Sequence, residues 1–141
     1  MELPFSLESS GTLKMFCLFD FFWDVMNTGS VLFADELNAK LHPLLMRYII
    51  NMFHDSSINK KNAQLIYTTH DTFTLTREIF RRDEIWFVEK DGYGVSKLFS
   101  LAEFKFEDDS KVRKDATYYK DYLSGRYGAV PLLREFNIME G

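Results

Sequence analysis

Apolar positions along this chain form two patterns, short unbroken runs and longer stretches spaced for a helix. The clearest short run is Val31-Leu32-Phe33-Ala34, which passes straight into Asp35 and Glu36. An unbroken apolar run of this length, preceded by the turn residues Asn27-Thr28-Gly29, predicts a strand buried on both faces, as in a parallel sheet. A second run, Ala63 to Thr69, predicts another strand and ends in His70-Asp71. Leu44, Leu45, Tyr48, Ile49, Met52 and Phe53 recur at helical spacing, with Pro43 suited to a first turn, and predict a helix over about residues 43–54. Upstream, Leu13 to Met26 predicts a largely buried helix headed by Ser9-Ser10-Gly11-Thr12, a cluster of capping residues. Cys17 falls in its apolar pattern and is expected to be a buried, inert thiol. Thr72 to Arg82 reads as a further helix. Glu84 to Lys90 and Val95 to Leu101, joined through Asp91-Gly92-Tyr93-Gly94, read as a hairpin. Glu103 to Asp115 is a charged surface segment, Tyr118 to Leu123 a short helix, and Gly125 to Pro131 a glycine-punctuated loop. Strand, helix, strand, helix and then hairpin predict a single α/β domain with a parallel sheet, flanking helices and an added antiparallel element.

The chemistry-bearing residues sit at the ends of these elements. Asp35 and Glu36 emerge at the C-terminal end of a strand, where open α/β sheets place their ligands. Successive strand residues face opposite ways, so one acid can hold a hydrated cation while the other points at a reacting water. The plain alternative is a buried strand followed by a solvated acidic turn. Ser9 to Thr12 either caps a helix or binds an anion through free backbone N–H groups and the helix dipole. His70 is either a hydrogen-bonding residue or a catalytic one.

Composition narrows the classes. With 46% hydrophobic and 16% aromatic residues in 141, the chain is not a disordered one. A net charge of −4 gives no global basic footprint for nucleic acid. The lone Cys17 excludes an intrachain disulfide and argues against a cysteine metal site. No run reaches the roughly 18–20 apolar residues a membrane helix needs, and the first residues lack a signal-peptide pattern, so a reducing cytoplasm is expected.

Order and spacing carry more than any one motif. Leu7-Glu8-Ser9-Ser10-Gly11-Thr12 resembles the signature loop of ABC-type ATPases. Val31 to Glu36 resembles a Walker B strand with its catalytic glutamate. Leu37 to Pro43 resembles the D-loop, and Leu65-Ile66-Tyr67-Thr68-Thr69-His70 the switch-histidine strand. The hairpin around Ile85 to Val88 and the Gly125 to Pro131 loop add to the likeness. Together they resemble the C-terminal part of prokaryotic AAA-family ATPases with ABC/SMC-like heads, a group that includes abortive-infection proteins.

The resemblance implies part of a P-loop NTPase sheet, with ATP and Mg²⁺ as cofactors. It implies that Asp35 holds the Mg²⁺, that Glu36 is the general base, and that His70 contacts the γ-phosphate. It also implies that Ser9, Ser10 and Gly11 meet the γ-phosphate of an ATP held by a partner head. Two features depart from the family pattern. No G-x-x-x-x-G-K-[ST] occurs in the sequence, whereas the family carries that Walker A loop far upstream. His42 stands where transporters usually have aspartate. The chain therefore looks like the C-terminal half of an ATPase, competent only when a Walker A half is supplied, and its expected partner is that complementary half or a second copy of itself. A nuclease or toxin-type effector is the further partner that the family suggests; neither a membrane nor a nucleic acid is indicated. The alternative is a non-catalytic regulatory module that docks on an intact ATPase. A metal-dependent nuclease using Asp35, Glu36 and His70 ranks below both.

Overall fold

Glycine-29 sets the first corner of the structure, a computed structural model that describes residues 7–104 and 117–129. Helix α1 (Ser10–Thr28) begins where the Ser9 Oγ accepts from the Thr12 N–H, and ends at Gly29, whose φ of 75° is left-handed. A Cβ there would run into the Lys61 carbonyl. Glycine is thus needed both for the turn and for the close approach. The chain then enters β1 (Val31–Ala34), crosses through α2 (Pro43–His54) and returns as β2 (Gln64–Tyr67). The two strands pair in parallel, from Val31 against Gln64 to Ala34 against Tyr67, as a helical crossover requires.

The chain divides into two compact units at Leu75/Thr76. In the first, α1 packs on β1 and α2 on β2. The core is Phe22 and Val25 of α1, Leu37 and Leu41, Met46, Ile49 and Ile50 of α2, and Ala63. The Phe22 ring meets Phe53 of α2 edge-on. The connection from α2 to β2 is organised by a buried side chain, Asn59. Its Nδ2 donates to the Phe53 and Ala63 carbonyls, both at 2.8 Å, and its Oδ1 accepts from the Ala63 N–H at 2.7 Å.

Four expectations fail in this unit and at its boundary with the next. Strand β1 is not covered on both faces: Phe33 is 73% exposed, and Val31 and Ile66 beside it are exposed too. Among the described residues of this unit, two four-residue strands and two helices supply no second layer for the face that carries Val31, Phe33 and Ile66. Helix α1 is not largely buried, because only its Phe22–Val25 stripe meets the core. Phe16, Phe19, Phe21 and Trp23 are exposed, with Phe19 and Trp23 stacked on each other. Cys17 lies on that outer side and is exposed rather than buried. Residues 72–81 also form turns rather than a helix. The Asp71 Oδ1 accepts from the Phe73 N–H, a local side-chain bond that competes with helix formation, and Thr74 is buried against Tyr67.

The second unit is built on β3 (Trp86–Lys90) and β4 (Ser96–Ser100), an antiparallel hairpin paired from Trp86–Ser100 to Lys90–Ser96. The Asp91 Oδ1 closes its turn by accepting from the Tyr93 and Val95 N–H groups. A short 3-10 turn, Arg82–Glu84, precedes the hairpin, and α3 (Tyr118–Leu123) follows it. Phe87 is the hub: its ring stacks on Tyr122 at 5.5 Å and Tyr127 at 5.3 Å and meets Phe99. The hairpin and the short helix agree with the sequence pattern. The charged segment beyond Phe104 and the last residues of the Gly125–Pro131 loop, Val130 and Pro131, lie outside the described residues.

Tyr127 is almost fully buried, and its hydroxyl hydrogen-bonds the Asp121 carboxylate. Burial first, then the Asp121 charge, hold the phenol well above its ordinary value of 10.0. Tyr67 is raised in the same direction, again mainly by burial. A raised folded-state value means that the stability is fully present below 10.0 and is lost as pH rises past it, where the unfolded phenol ionises and the folded one does not. Thermal stability should therefore fall above about pH 10, and Tyr127→Phe should make that fall shallower, as measured by Tm against pH. Separately, Asn59→Ala should cost about 1–3 kcal/mol in urea unfolding by stranding the buried Ala63 backbone groups.

Candidate functional site

The parallel ladder does not stop at Tyr67. The Thr68 N–H donates to the Ala34 carbonyl at 3.0 Å, and the Leu37 N–H donates back to the Thr68 carbonyl at 3.3 Å. The Thr68 hydroxyl then does two things. It donates to the Asp35 Oδ1 at 2.5 Å and accepts from the Glu36 N–H at 2.9 Å. One hydroxyl from β2's tail thus fixes both acidic positions at the end of β1.

Glu36 takes a left-handed backbone, φ 48°, which costs a non-glycine residue about 1–2 kcal/mol. Its carboxylate then lies on His70, with Glu36 Oε1 2.7 Å from His70 Nε2. The imidazole therefore donates from Nε2, in its neutral tautomer or as imidazolium. The two side chains are 43% and 86% exposed. An ion pair that open is worth no more than about 1 kcal/mol to the fold, so its interest is the geometry it presents to solvent.

The turn after Glu36 is held from α1. Lys14 Nζ donates to the carbonyls of Glu36 at 3.0 Å, Leu37 at 2.9 Å and Ala39 at 3.0 Å. Leu37 is buried beneath that turn, and Lys40 is a second left-handed residue in it, φ 64°. A Cβ at Gly11 would stand 2.8 Å from the Lys40 carbonyl, so only glycine lets the first turn of α1 come this close.

The sequence-predicted residues fall out as follows. Asp35, Glu36 and His70 are brought together at the ends of β1 and β2. Gly11 touches the turn that follows Glu36. Ser9 is the N-cap of α1, its Oγ engaged with the Thr12 N–H and the Thr12 hydroxyl. Ser10 is exposed in the first helical turn, where its N–H and that of Gly11 have no acceptor within the helix. His42 is the N-cap of α2: its Nδ1 accepts from the Leu44 N–H at 3.2 Å. An aspartate at position 42 would cap the same donor through a carboxylate oxygen, so the two residue types share one structural task there.

Thr68 and Lys14 were not among the predicted site residues. The available signals were small: Thr68 is a hydroxyl just past an apolar strand, and Lys14 is the lone basic residue in α1.

Among the described residues no three His, Cys, Asp or Glu side chains converge on one point as a metal cage. A Mg²⁺ ion needs less, since it binds through one or two carboxylates plus phosphates and waters. Asp35 fits that demand: Thr68 holds one oxygen, and no described residue hydrogen-bonds the other.

Residues 2–76 match the family described as "AAA domain, putative AbiEii toxin, Type IV TA system". The chain belongs to this family. The matched AAA domain spans α1, β1, α2 and β2 and contains every candidate site residue above. Membership makes this a nucleotide-binding, ATPase-like domain, and the parallel strand pair with its helices is consistent with part of a P-loop NTPase sheet. No curated protein and no solved structure matches the chain. No described helix of the AAA-domain protein is long and apolar enough to cross a membrane.

The capping role of His42 has a direct test. His42→Ala should destabilise the chain by about 1 kcal/mol, whereas His42→Asp should leave stability within about 0.5 kcal/mol, as read from urea midpoints at neutral pH.

Proposed function

We propose that this chain is the part of an ABC-like AAA ATPase that carries the Walker B acids, and that it hydrolyses ATP with Mg²⁺ when a complementary half supplies a Walker A loop. The observation that carries the reading is the 2.7 Å contact between Glu36 Oε1 and His70 Nε2 beside Asp35, on the open end of a parallel strand pair. Phosphoryl transfer depends on positioning and charge stabilisation more than on covalent chemistry. Glu36 accepts the proton of the attacking water, using the carboxylate oxygen not held by His70. His70 fixes the orientation of that carboxylate and stands at the γ-phosphate. Asp35 holds the Mg²⁺, which supplies Lewis-acid stabilisation to the phosphates. The Ser10 hydroxyl and the first N–H groups of α1 face the γ-phosphate of ATP bound on the partner. The lack of a G-x-x-x-x-G-K-[ST] in the sequence is why a second half is required. The family description, with its putative toxin and toxin–antitoxin system, supports a toxin-type setting, and the proposed location is the cytoplasm, with a nuclease or toxin-type effector.

A second reading is a non-catalytic module docking on an intact ATPase. It is favoured by the apolar surface formed by Val31, Phe33 and Ile66 and by the outer aromatic residues of α1.

ATP turnover by the pure chain with Mg²⁺, alone and mixed with a Walker A-bearing N-terminal half, separates the two. Turnover should appear only in the mixture, and Glu36→Gln should lower it about 10²–10⁴-fold while leaving ATP bound. Turnover by the chain alone, or turnover indifferent to Glu36→Gln, would remove the assignment. Association without turnover would establish the docking module instead.

A further inference from the structure

We infer that Lys14 is a positioning residue for Glu36 and His70, an inference that rests on the ATPase reading above. A lysine ammonium has three donors, and all three of Lys14's are used on backbone carbonyls of one turn, those of Glu36, Leu37 and Ala39. No carboxylate pairs with it among the described residues. Its charge is spent on gathering three carbonyl dipoles that would otherwise repel one another at a common point.

That turn holds two non-glycine residues in the left-handed region, Glu36 and Lys40. Such a backbone persists only where its surroundings over-determine it. Lys14 supplies much of that constraint, with the Thr68 hydroxyl on the Glu36 N–H and the buried Leu37 side chain supplying the rest. The left-handed Glu36 in turn puts its carboxylate on His70.

The clamp also has a direction. Lys14 lies one turn beyond Ser10 and Gly11 on the same helix, and Gly11 itself abuts the Lys40 carbonyl. The end of α1 that would meet a partner's phosphate therefore meets the turn that follows the general base at two points, Lys14 on the Glu36 carbonyl and Gly11 beside the Lys40 carbonyl. A shift of the α1 end is passed to Glu36 through Lys14.

The test begins on the isolated chain, without nucleotide. With ¹⁵N-labelled lysine and histidine and ¹³C-labelled carbonyls, the Lys14 ammonium should exchange slowly and show hydrogen-bond couplings to the carbonyls of residues 36, 37 and 39. In Lys14→Met the His70 Nε2 resonance should move to where Glu36→Gln places it. A His70 resonance unmoved in Lys14→Met overturns the proposal, as does a fast-exchanging, uncoupled Lys14 ammonium in the native chain. If Lys14→Met does not fold, Lys14→Arg is read on the same resonance. Its planar fork cannot serve three converging carbonyls, so His70 should shift part of the way, and no shift overturns the proposal.

In the reconstituted ATPase, Lys14→Met should lower kcat about 10²-fold with the KM for ATP within about two-fold, and propylammonium should restore part of the rate to Lys14→Ala. A loss confined to KM, or no loss, overturns the positioning role. If the native chain shows no turnover with the Walker A half, the ATPase reading fails, while the His70 resonance still decides the role of Lys14.

Discussion

The in-register parallel pairing of β1 with β2 is the constraint on which the site depends. Parallel strands in register end at the same edge, so Asp35 and Glu36 leave the sheet beside Thr68 and, two residues on, His70. An antiparallel pair would have sent the two tails to opposite ends. The pairing brings the tails together, and the Thr68 hydroxyl and Lys14 ammonium then shape one of them. No single bond here is strong. A neutral hydrogen bond nets about 1 kcal/mol, the left-handed Glu36 costs about as much, and the open Glu36–His70 pair contributes little. The geometry stands because several modest contacts agree, which is the usual way a strained residue is kept at a functional site.

How much of this was legible in the sequence depends on the kind of contact involved. The two strands and α2 could be read because their apolar runs have the right length and period. The acids at the end of β1 and the histidine at the end of β2 could be read because strand ends are where such folds place chemistry. The capping serine and the hairpin turn followed from local rules. The burial of α1 did not follow. Its apolar residues run nearly all the way round, and a pattern without a polar face cannot say which side has a neighbour. That is why Cys17 and Trp23 were expected inside and are outside. The helix expected over Thr72 to Arg82 does not form, because the Asp71 side chain competes for the Phe73 N–H.

Lys14 and Thr68 were illegible for a different reason. Their partners lie 22 to 33 positions away in the chain and, apart from the Asp35 carboxylate, are backbone atoms, and a backbone group leaves no trace in sequence identity. A lysine near the start of an apolar helix reads as a solubilising charge until the three carbonyls are seen around it. Gly11 is similar: its meaning lies in the Lys40 carbonyl that a Cβ would strike.

The exposed apolar face and the proposed function bear on one another. A parallel sheet is ordinarily covered on both faces, yet Phe33 is 73% exposed on the very strand that delivers Asp35 and Glu36. Burying a side chain such as Val, Ile or Phe is worth about 1.5–3 kcal/mol. Covering Val31, Phe33 and Ile66 would then release several kcal/mol, a large part of a domain's usual net stability of about 5–15 kcal/mol. Under the proposed reading, the half that brings Walker A also brings missing sheet and cover. Its binding would stabilise the folded chain by mass action and complete the nucleotide site in one event. Folding, association and activity would then be linked through the same strand, because β1 carries the apolar residues on its length and the acids at its end.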